Sequence, residues 1–115
     1  MNIQSKPFDV IRVVDPRAIP TGTAEVIYTV PEGETVIVIN TIVVNADALL
    51  AGLFELSLNG GPGATTRIIR QSIPADDSIL FAIPQDGFIL NSGDTLSAVF
   101  GNASGTISIF GRRIG

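Results

Sequence analysis

The longest apolar segment of the chain is residues 35–45, which read Thr-Val-Ile-Val-Ile-Asn-Thr-Ile-Val-Val-Asn. Successive side chains of a β-strand point to opposite sides of the sheet. Both sides of this segment are apolar, because Val36 and Val38 alternate with Ile37 and Ile39. A strand that is apolar on both sides is covered on both. We therefore predict that a packed core covers one side and that a second surface covers the other.

The residues around this segment also favour strands. The chain contains 16 Ile, 10 Val and 9 Thr, whose branched side chains fit a pleated sheet and lose rotamer freedom in helices. Its 12 Gly and 7 Pro divide the remainder into short segments. In several segments apolar and polar residues alternate. We predict strands at residues 8–14, 24–30, 35–45, 53–58, 66–71, 78–83, 87–90, 95–100 and 105–111.

The spacing of these segments indicates the fold class. Turn sequences such as Pro31-Glu32-Gly33 and Asn91-Ser92-Gly93-Asp94 separate the strands, and only residues 46–53 could form a helical turn. Short strands at this spacing predict an all-β protein, an antiparallel two-sheet sandwich of jelly-roll type with about eight strands. A sandwich with another strand order is the nearest alternative.

The first 22 residues differ from the rest of the chain. They contain Pro7, Pro16 and Pro20, and a residue that precedes proline avoids the helical conformation. We predict an extended N-terminal arm at 1–22 and a sandwich domain at 23–115. The arm contains the predicted strand 8–14, which could pair with an edge of its own sheet or with the sheet of a neighbouring copy.

Composition excludes several classes of chemistry. The chain has no Cys and no His, so it offers no Ser-His-Asp or Cys-His arrangement and no zinc site of the usual kind. The acidic residues Asp76, Asp77, Asp86 and Asp94 all lie in or beside turns, where Asp is favoured for its local hydrogen bonds. Calcium-loop spacing is missing. We predict a protein that is not an enzyme and that binds no cofactor or metal.

Charge and hydrophobicity also limit the location and the partners. The net charge of -4 argues against a nucleic-acid-binding protein, and an apolar content of 45% argues against disorder. No apolar stretch approaches the ~20 residues of a membrane helix. The N-terminus has no apolar core of a signal peptide, so we expect neither a membrane partner nor a signal sequence.

Apolar residues outnumber those that a sandwich of this size needs for its core, and basic residues are concentrated near the two termini. Surplus apolar surface marks association sites, and most assemblies repeat one surface under closed symmetry. We therefore predict a homo-oligomer. The residues that we predict to bind partners lie in the arm, in the segment 46–53 and at the C-terminus: Phe8, Val10, Arg12, Val13, Arg17, Leu49, Leu50, Arg112 and Arg113.

Three stretches carry a resemblance to a known family. They are Tyr-Thr-Val-Pro-Glu-Gly-Glu-Thr at 28–35, Gly-Phe-Ile-Leu-Asn-Ser-Gly-Asp-Thr-Leu at 87–96 and Ile-Ser-Ile-Phe-Gly at 107–111. Together with the long strand that ends in Asn45, they resemble small β-sandwich virion proteins of tailed bacteriophages over residues 24–111. The Leu-x-x-Gly-Asp turn at 90–94 is also similar to that of trimeric C1q/TNF-type jelly rolls. Residues 1–23 have no counterpart in this resemblance.

The resemblance implies a structural role in a virion. We expect a capsid decoration (cement) protein that binds the major capsid protein on the outer surface of the shell as a trimer and stabilises it against internal pressure. A tail, neck or fibre component, including a receptor-binding head, is the alternative. A lectin-like module is disfavoured, because sugar sites usually stack a ring on Trp or Tyr, and the chain has no Trp and a single Tyr, Tyr28.

Overall fold

The structure is a computed structural model, and it describes residues 11–59, 65–82 and 88–114. This part of the chain contains nine strands and no helix, and therefore no helix that could span a membrane. The strands are β1 (Ile11–Ala18), β2 (Glu25–Thr29), β3 (Thr35–Asn45), β4 (Gly52–Asn59), β5 (Thr65–Ile73), β6 (Ser78–Ala82), β7 (Phe88–Leu90), β8 (Thr95–Gly101) and β9 (Gly105–Ile114).

The strands form two antiparallel sheets. Sheet A has the order β1-β9-β3-β6, with β7 also paired to β3, and sheet B has the order β2-β8-β4-β5. Strand β6 pairs with residues 40–44 of β3 and β7 with residues 36–38, so the two occupy successive stretches of one side of β3. The nested pairs β1–β9, β2–β8, β3–β6 and β4–β5 are those of a jelly roll. The predicted fold class is confirmed.

The core lies between the two sheets. The inward residues of β3, Val36, Val38 and Val43, are completely buried, as are the inward residues of β8 and β9. Phe54 stacks on Phe81 at a ring-centroid distance of 5.9 Å and meets Phe100 edge-on at 6.5 Å. These three rings come from β4, β6 and β8 and therefore join both sheets, as the alternation in β4 and β8 requires.

The described part of the predicted arm, residues 11–22, packs on the sandwich of its own chain. Strand β1 pairs with β9, and Val13, Val14 and Ile19 lie in the core. The register of β1 shifts twice between Arg12 and Arg17, and the strand continues through Pro16. An edge strand tolerates proline because one row of its N–H groups needs no partner. The strand predicted from the sequence ends at residue 14, four residues before the observed end at Ala18. Its first residues, 8–10, lie outside the described ranges.

Two predicted turns are hydrogen-bonded to each other at one end of the sandwich. Gly33 and Gly93 both have positive φ, 84° and 86°, which glycine adopts without steric cost. The Gly33 N–H donates to the Ser92 hydroxyl at 3.0 Å, and the Gly93 N–H donates to the Val30 carbonyl at 3.1 Å. The turns at 31–34 and 91–94 thus hold β3 of sheet A beside β8 of sheet B.

Candidate interaction surfaces

The outer side of sheet A is apolar along β3 and its neighbours. We call this surface the apolar face. A β-bulge between Val38 and Asn40 reverses the alternation along β3. Val36 and Val38 point into the core before the bulge, so Ile37 points outward. Val43 points into the core after it, so Ile42 and Val44 point outward. Leu80 is 58% exposed, Ile89 54% and Val44 38%, and the others are partly buried. The apolar face consists of Ile37, Ile42, Val44, Leu80, Ile89 and Phe110.

Strand register makes the apolar face continuous. Ile37 lies directly opposite Ile89, and Ile42 lies directly opposite Leu80. Directly opposite residues of an antiparallel pair have Cβ atoms about 5 Å apart, so their side chains touch. Asn40 occupies the middle of the face, between Ala82 on β6 and Phe110 on β9. The predicted second apolar side of β3 is therefore partly exposed: Val44 is 38% exposed, and Ile37 and Ile42 are partly buried.

The outer side of sheet B carries charged and polar side chains along β4, β5 and β8, with Val26 exposed on the edge strand β2. Glu55 forms ion pairs with Arg67 at 3.4 Å and with Arg70 at 3.6 Å. At the end of β4, the Asn59 amide donates to the hydroxyls of Thr95 and Ser97 on the neighbouring strand β8, at 3.2 and 2.8 Å. These side chains satisfy one another at the surface, as expected for a sheet face in contact with water. Sheet B thus presents a different chemistry from sheet A.

Leu49 and Leu50 lie in the loop between β3 and β4, where Leu49 is 88% and Leu50 51% exposed. The loop contains no helical turn. The Asp47 carboxylate accepts the N–H groups of Leu49 and Leu50 at 2.9 and 3.0 Å, which forms an Asx-type turn instead. The two leucines therefore project from a hydrogen-bonded loop at one end of the sandwich.

Asn45 holds this loop in place. Its side chain is 1% exposed, and its amide nitrogen donates to the carbonyls of Leu50, Ile73 and Pro74 at 2.9, 3.1 and 3.1 Å. Its amide oxygen accepts the Asp47 N–H at 2.9 Å. One side chain at the end of β3 thus ties together the chain on both sides of β4 and β5. The sequence placed Asn45 at the end of a long strand, but not in this network.

The predicted basic residues lie apart from the two leucines. Arg113 pairs with Glu34 at 2.9 Å near the hydrogen-bonded turns at 31–34 and 91–94, whereas Leu49 and Leu50 lie at the opposite end of β3. Eleven residues of strand separate the two ends by roughly 35 Å. Arg112 lies opposite Ile37 at the border of the apolar face. The predicted residues therefore do not form one patch.

Three further predicted residues belong to β1. Arg12 is exposed and pairs weakly with Asp15 at 3.8 Å, and the Arg17 guanidinium donates to the Ile27 carbonyl at 3.0 Å. Val13 is 7% exposed, so its side chain belongs to the core of its own chain and offers little surface to a partner. Phe8 and Val10 lie outside the described residues. The partner-binding role of this set stays a prediction.

A shallow cleft of about 500 Å³ separates the edge strands β1 and β2. Arg17 and Tyr28 line it, and the Arg17 hydrogen bond to Ile27 crosses it.

The carboxylates of Asp77 and Asp94 accept N–H groups of Ser78 and Asn91 at 2.8 Å each, which is the turn chemistry predicted for them. Within the described ranges no three acidic residues come together as a metal site would require; Asp86 lies outside those ranges.

Leu80, Ile89 and Phe110 were not predicted as surface residues from the sequence. A signal was present, because 79–81 reads Ile-Leu-Phe, a run that is apolar on both sides like β3 itself. The pairing of Leu80 with Ile42 joins residues 38 positions apart, and a pattern along the chain does not show such a pairing. Only the strand order shows that these residues share a surface.

No known protein family matches the chain, and no curated protein sequence matches it.

Proposed function

We propose that this protein is a capsid decoration (cement) protein of a tailed bacteriophage, which binds the outer surface of the major capsid shell as a homotrimer. The apolar face of sheet A is the observation that carries the general part of this proposal. Soluble monomers rarely expose contiguous apolar patches, and a patch of this kind marks an association surface. The phage assignment rests on the resemblance of residues 24–111 to small virion proteins.

The chemistry of the described residues supports a structural role. Polar groups that could act in catalysis are engaged in the fold: Asp47, Asp77 and Asp94 accept backbone N–H groups in turns. The chain has no His or Cys to activate a hydroxyl nucleophile. A sandwich that exposes apolar side chains on one outer face suits a protein that works by burying area between other subunits.

In this proposal the decoration protein adds noncovalent contacts across junctions between shell subunits. The Leu49–Leu50 loop is suited to such a contact because its backbone is already ordered by Asp47, so binding costs little further conformational entropy. Residues 11–21 are engaged with the chain's own β9 and β8, so Phe8 and Val10 are the arm residues that we propose to reach the shell or the next copy.

Copy number in purified virions tests the assignment. Quantitative mass spectrometry against the major capsid protein should give on the order of hundreds of copies per particle, as a shell with repeated identical sites requires. A second measurement compares intact particles with particles from which the protein has been released. The depleted particles should lose their DNA at a lower temperature. A few dozen copies or fewer would contradict shell decoration.

A tail, neck or fibre component is the second candidate. The exposed Leu49–Leu50 loop lies at one end of an elongated sandwich, and such a position would suit end-on contact with another virion protein or a receptor. In that case the chain should copurify with tails after particles are disrupted, and shells without tails should lack it.

A further inference from the structure

We propose that the apolar face of sheet A is buried against a second copy of this chain. The inference deepens the proposed function, whose self-association it assigns to a surface. It assigns to an interface residues on β6, β7 and β9 that were not predicted from the sequence. It adds them to the outer side of β3, which was predicted.

The size of the apolar face suits a specific interface. It spans three neighbouring strand positions, β9, β3 and β6 with β7, and about eight residues along β3 from Ile37 to Val44. Strands lie about 4.8 Å apart and rise about 3.3 Å per residue, so the face measures roughly 15 by 25 Å. With the relief of the side chains, two copies would remove on the order of 1,000 Å² of accessible surface, the lower limit for a specific protein interface.

The chemistry of the face suits a copy of itself. Its apolar residues carry no charge that would demand an opposite charge on a partner. Its central polar side chains are Asn40 and Ser108, which lies opposite Ile42 on β9. Each has both a donor and an acceptor, so the polar groups of one copy can pair with the same groups of another. A purely apolar partner would leave the Asn40 amide without a hydrogen bond, which is costly once it is buried.

The charges on sheet A lie at the border of the face. Arg12 is opposite Phe110 but already pairs with Asp15, and Arg112 is opposite Ile37. An interface with an apolar centre and a charged rim is the usual arrangement in stable homo-oligomers.

The test uses the full chain and a pair of matched variants. Leu80→Lys changes a residue of the apolar face that is 58% exposed, and Val26→Lys changes a residue of similar exposure, 51%, on the outer side of sheet B. Mass is measured by light scattering coupled to gel filtration at micromolar concentrations, and circular dichroism with thermal melts checks folding. Ile89→Lys, at 54% exposure on the same face as Leu80, serves as the second variant.

The wild-type chain should assemble, and Leu80→Lys and Ile89→Lys should each weaken association at least tenfold, because a lysine in the interface would lose its hydration. Val26→Lys should assemble like the wild type. A monomeric wild type, or association that the two sheet A variants leave unchanged, would overturn the inference. If Val26→Lys alone caused dissociation, the interface would lie on sheet B and the inference would also fail.

These outcomes are independent of the copy number in virions. A monomer found at hundreds of copies per particle would refute the inference and leave shell decoration in place. An oligomer formed through the apolar face but present at a few dozen copies would support the inference and contradict shell decoration.

Discussion

The two outer faces of the sandwich consist of strands with the same alternation, but they expose different side chains: mainly polar ones on sheet B and mainly apolar ones along β3 and β6 of sheet A. On sheet B the outward residues include Glu55, Arg67, Arg70 and Asn59, which pair among themselves or with neighbouring hydroxyls. On sheet A the corresponding positions of β3 and β6 are Ile42 and Leu80. The difference shows that the fold needs only one apolar side per sheet, so the second apolar side of sheet A is free for the self-association that we propose.

The largest effect is expected from the backbone contact behind the apolar face. A Cβ atom at Gly111 would overlap the carbonyl oxygen of Ile37 on the neighbouring strand. Gly111→Ala should therefore cost about 3 kcal/mol or more of unfolding free energy and disrupt sheet A. Urea denaturation monitored by circular dichroism measures this cost.

Gly101→Ala on sheet B is the matched control, since a Cβ atom there would meet its nearest neighbour, the Leu53 carbonyl oxygen, at 3.8 Å, an ordinary contact. It should change stability by less than about 1 kcal/mol. Equal costs for the two variants would mean that β9 and β3 do not approach each other as described.

A medium effect is expected from the buried amide at the end of β3. Asn45→Ala removes hydrogen bonds to three carbonyls, of which that of Ile73 is buried, and leaves the partly buried Asp47 N–H without its partner. It should cost about 2–3 kcal/mol, because buried polar groups that lose their partners retain their desolvation penalty. Amide hydrogen exchange at Asp47, Leu49 and Leu50 should also accelerate.

Asn59→Ala on sheet B provides the comparison. The Asn59 amide is half-buried and bonds two surface hydroxyls that water can satisfy after its removal. The expected loss is about 1 kcal/mol or less. If Asn59→Ala cost more than Asn45→Ala, the polar face of sheet B would contribute more to folding than the end of sheet A does.

The smallest effect is expected from the charges on sheet B. Glu55→Gln removes the ion pairs to Arg67 and Arg70, whose side chains are more than half exposed. Pairs of this kind contribute at most about 1 kcal/mol and are screened by salt. The loss should shrink when denaturation is repeated at high ionic strength, and the oligomer mass should equal that of the wild type. A change in mass would place sheet B in the interface.

Local patterns accounted for most of the strands. Residues 35–45 were predicted with the observed bounds, and the positions of the other strands that can be compared differ mainly at their ends. The turns at Gly33 and Gly93 followed from residues that adopt positive φ readily. Strand β1 was less predictable, because its continuation through Pro16 depends on its place at the edge of a sheet, beside β9.

The candidate surfaces were only partly predictable. The exposure of Leu49 and Leu50 and the second apolar side of β3 agree with expectations from the sequence. Val13 was also expected at a surface but lies in the core, because β1 packs on its own sheet. Residues such as Leu80 and Ile89 entered the apolar face through strand pairing, which a one-dimensional pattern does not specify.

Local features of the sequence suffice to predict that the chain is all-β, where its strands and turns fall, and that it has more apolar surface than one sandwich buries. These properties depend on side-chain branching, on alternation along each strand and on glycine at particular turns, all of which act over a few residues. Which strands are neighbours is seen only in the folded chain. Pairing of β3 with β6, β7 and β9 gathered distant apolar residues on one side of sheet A, because side chains on adjacent strands meet only after the register is set.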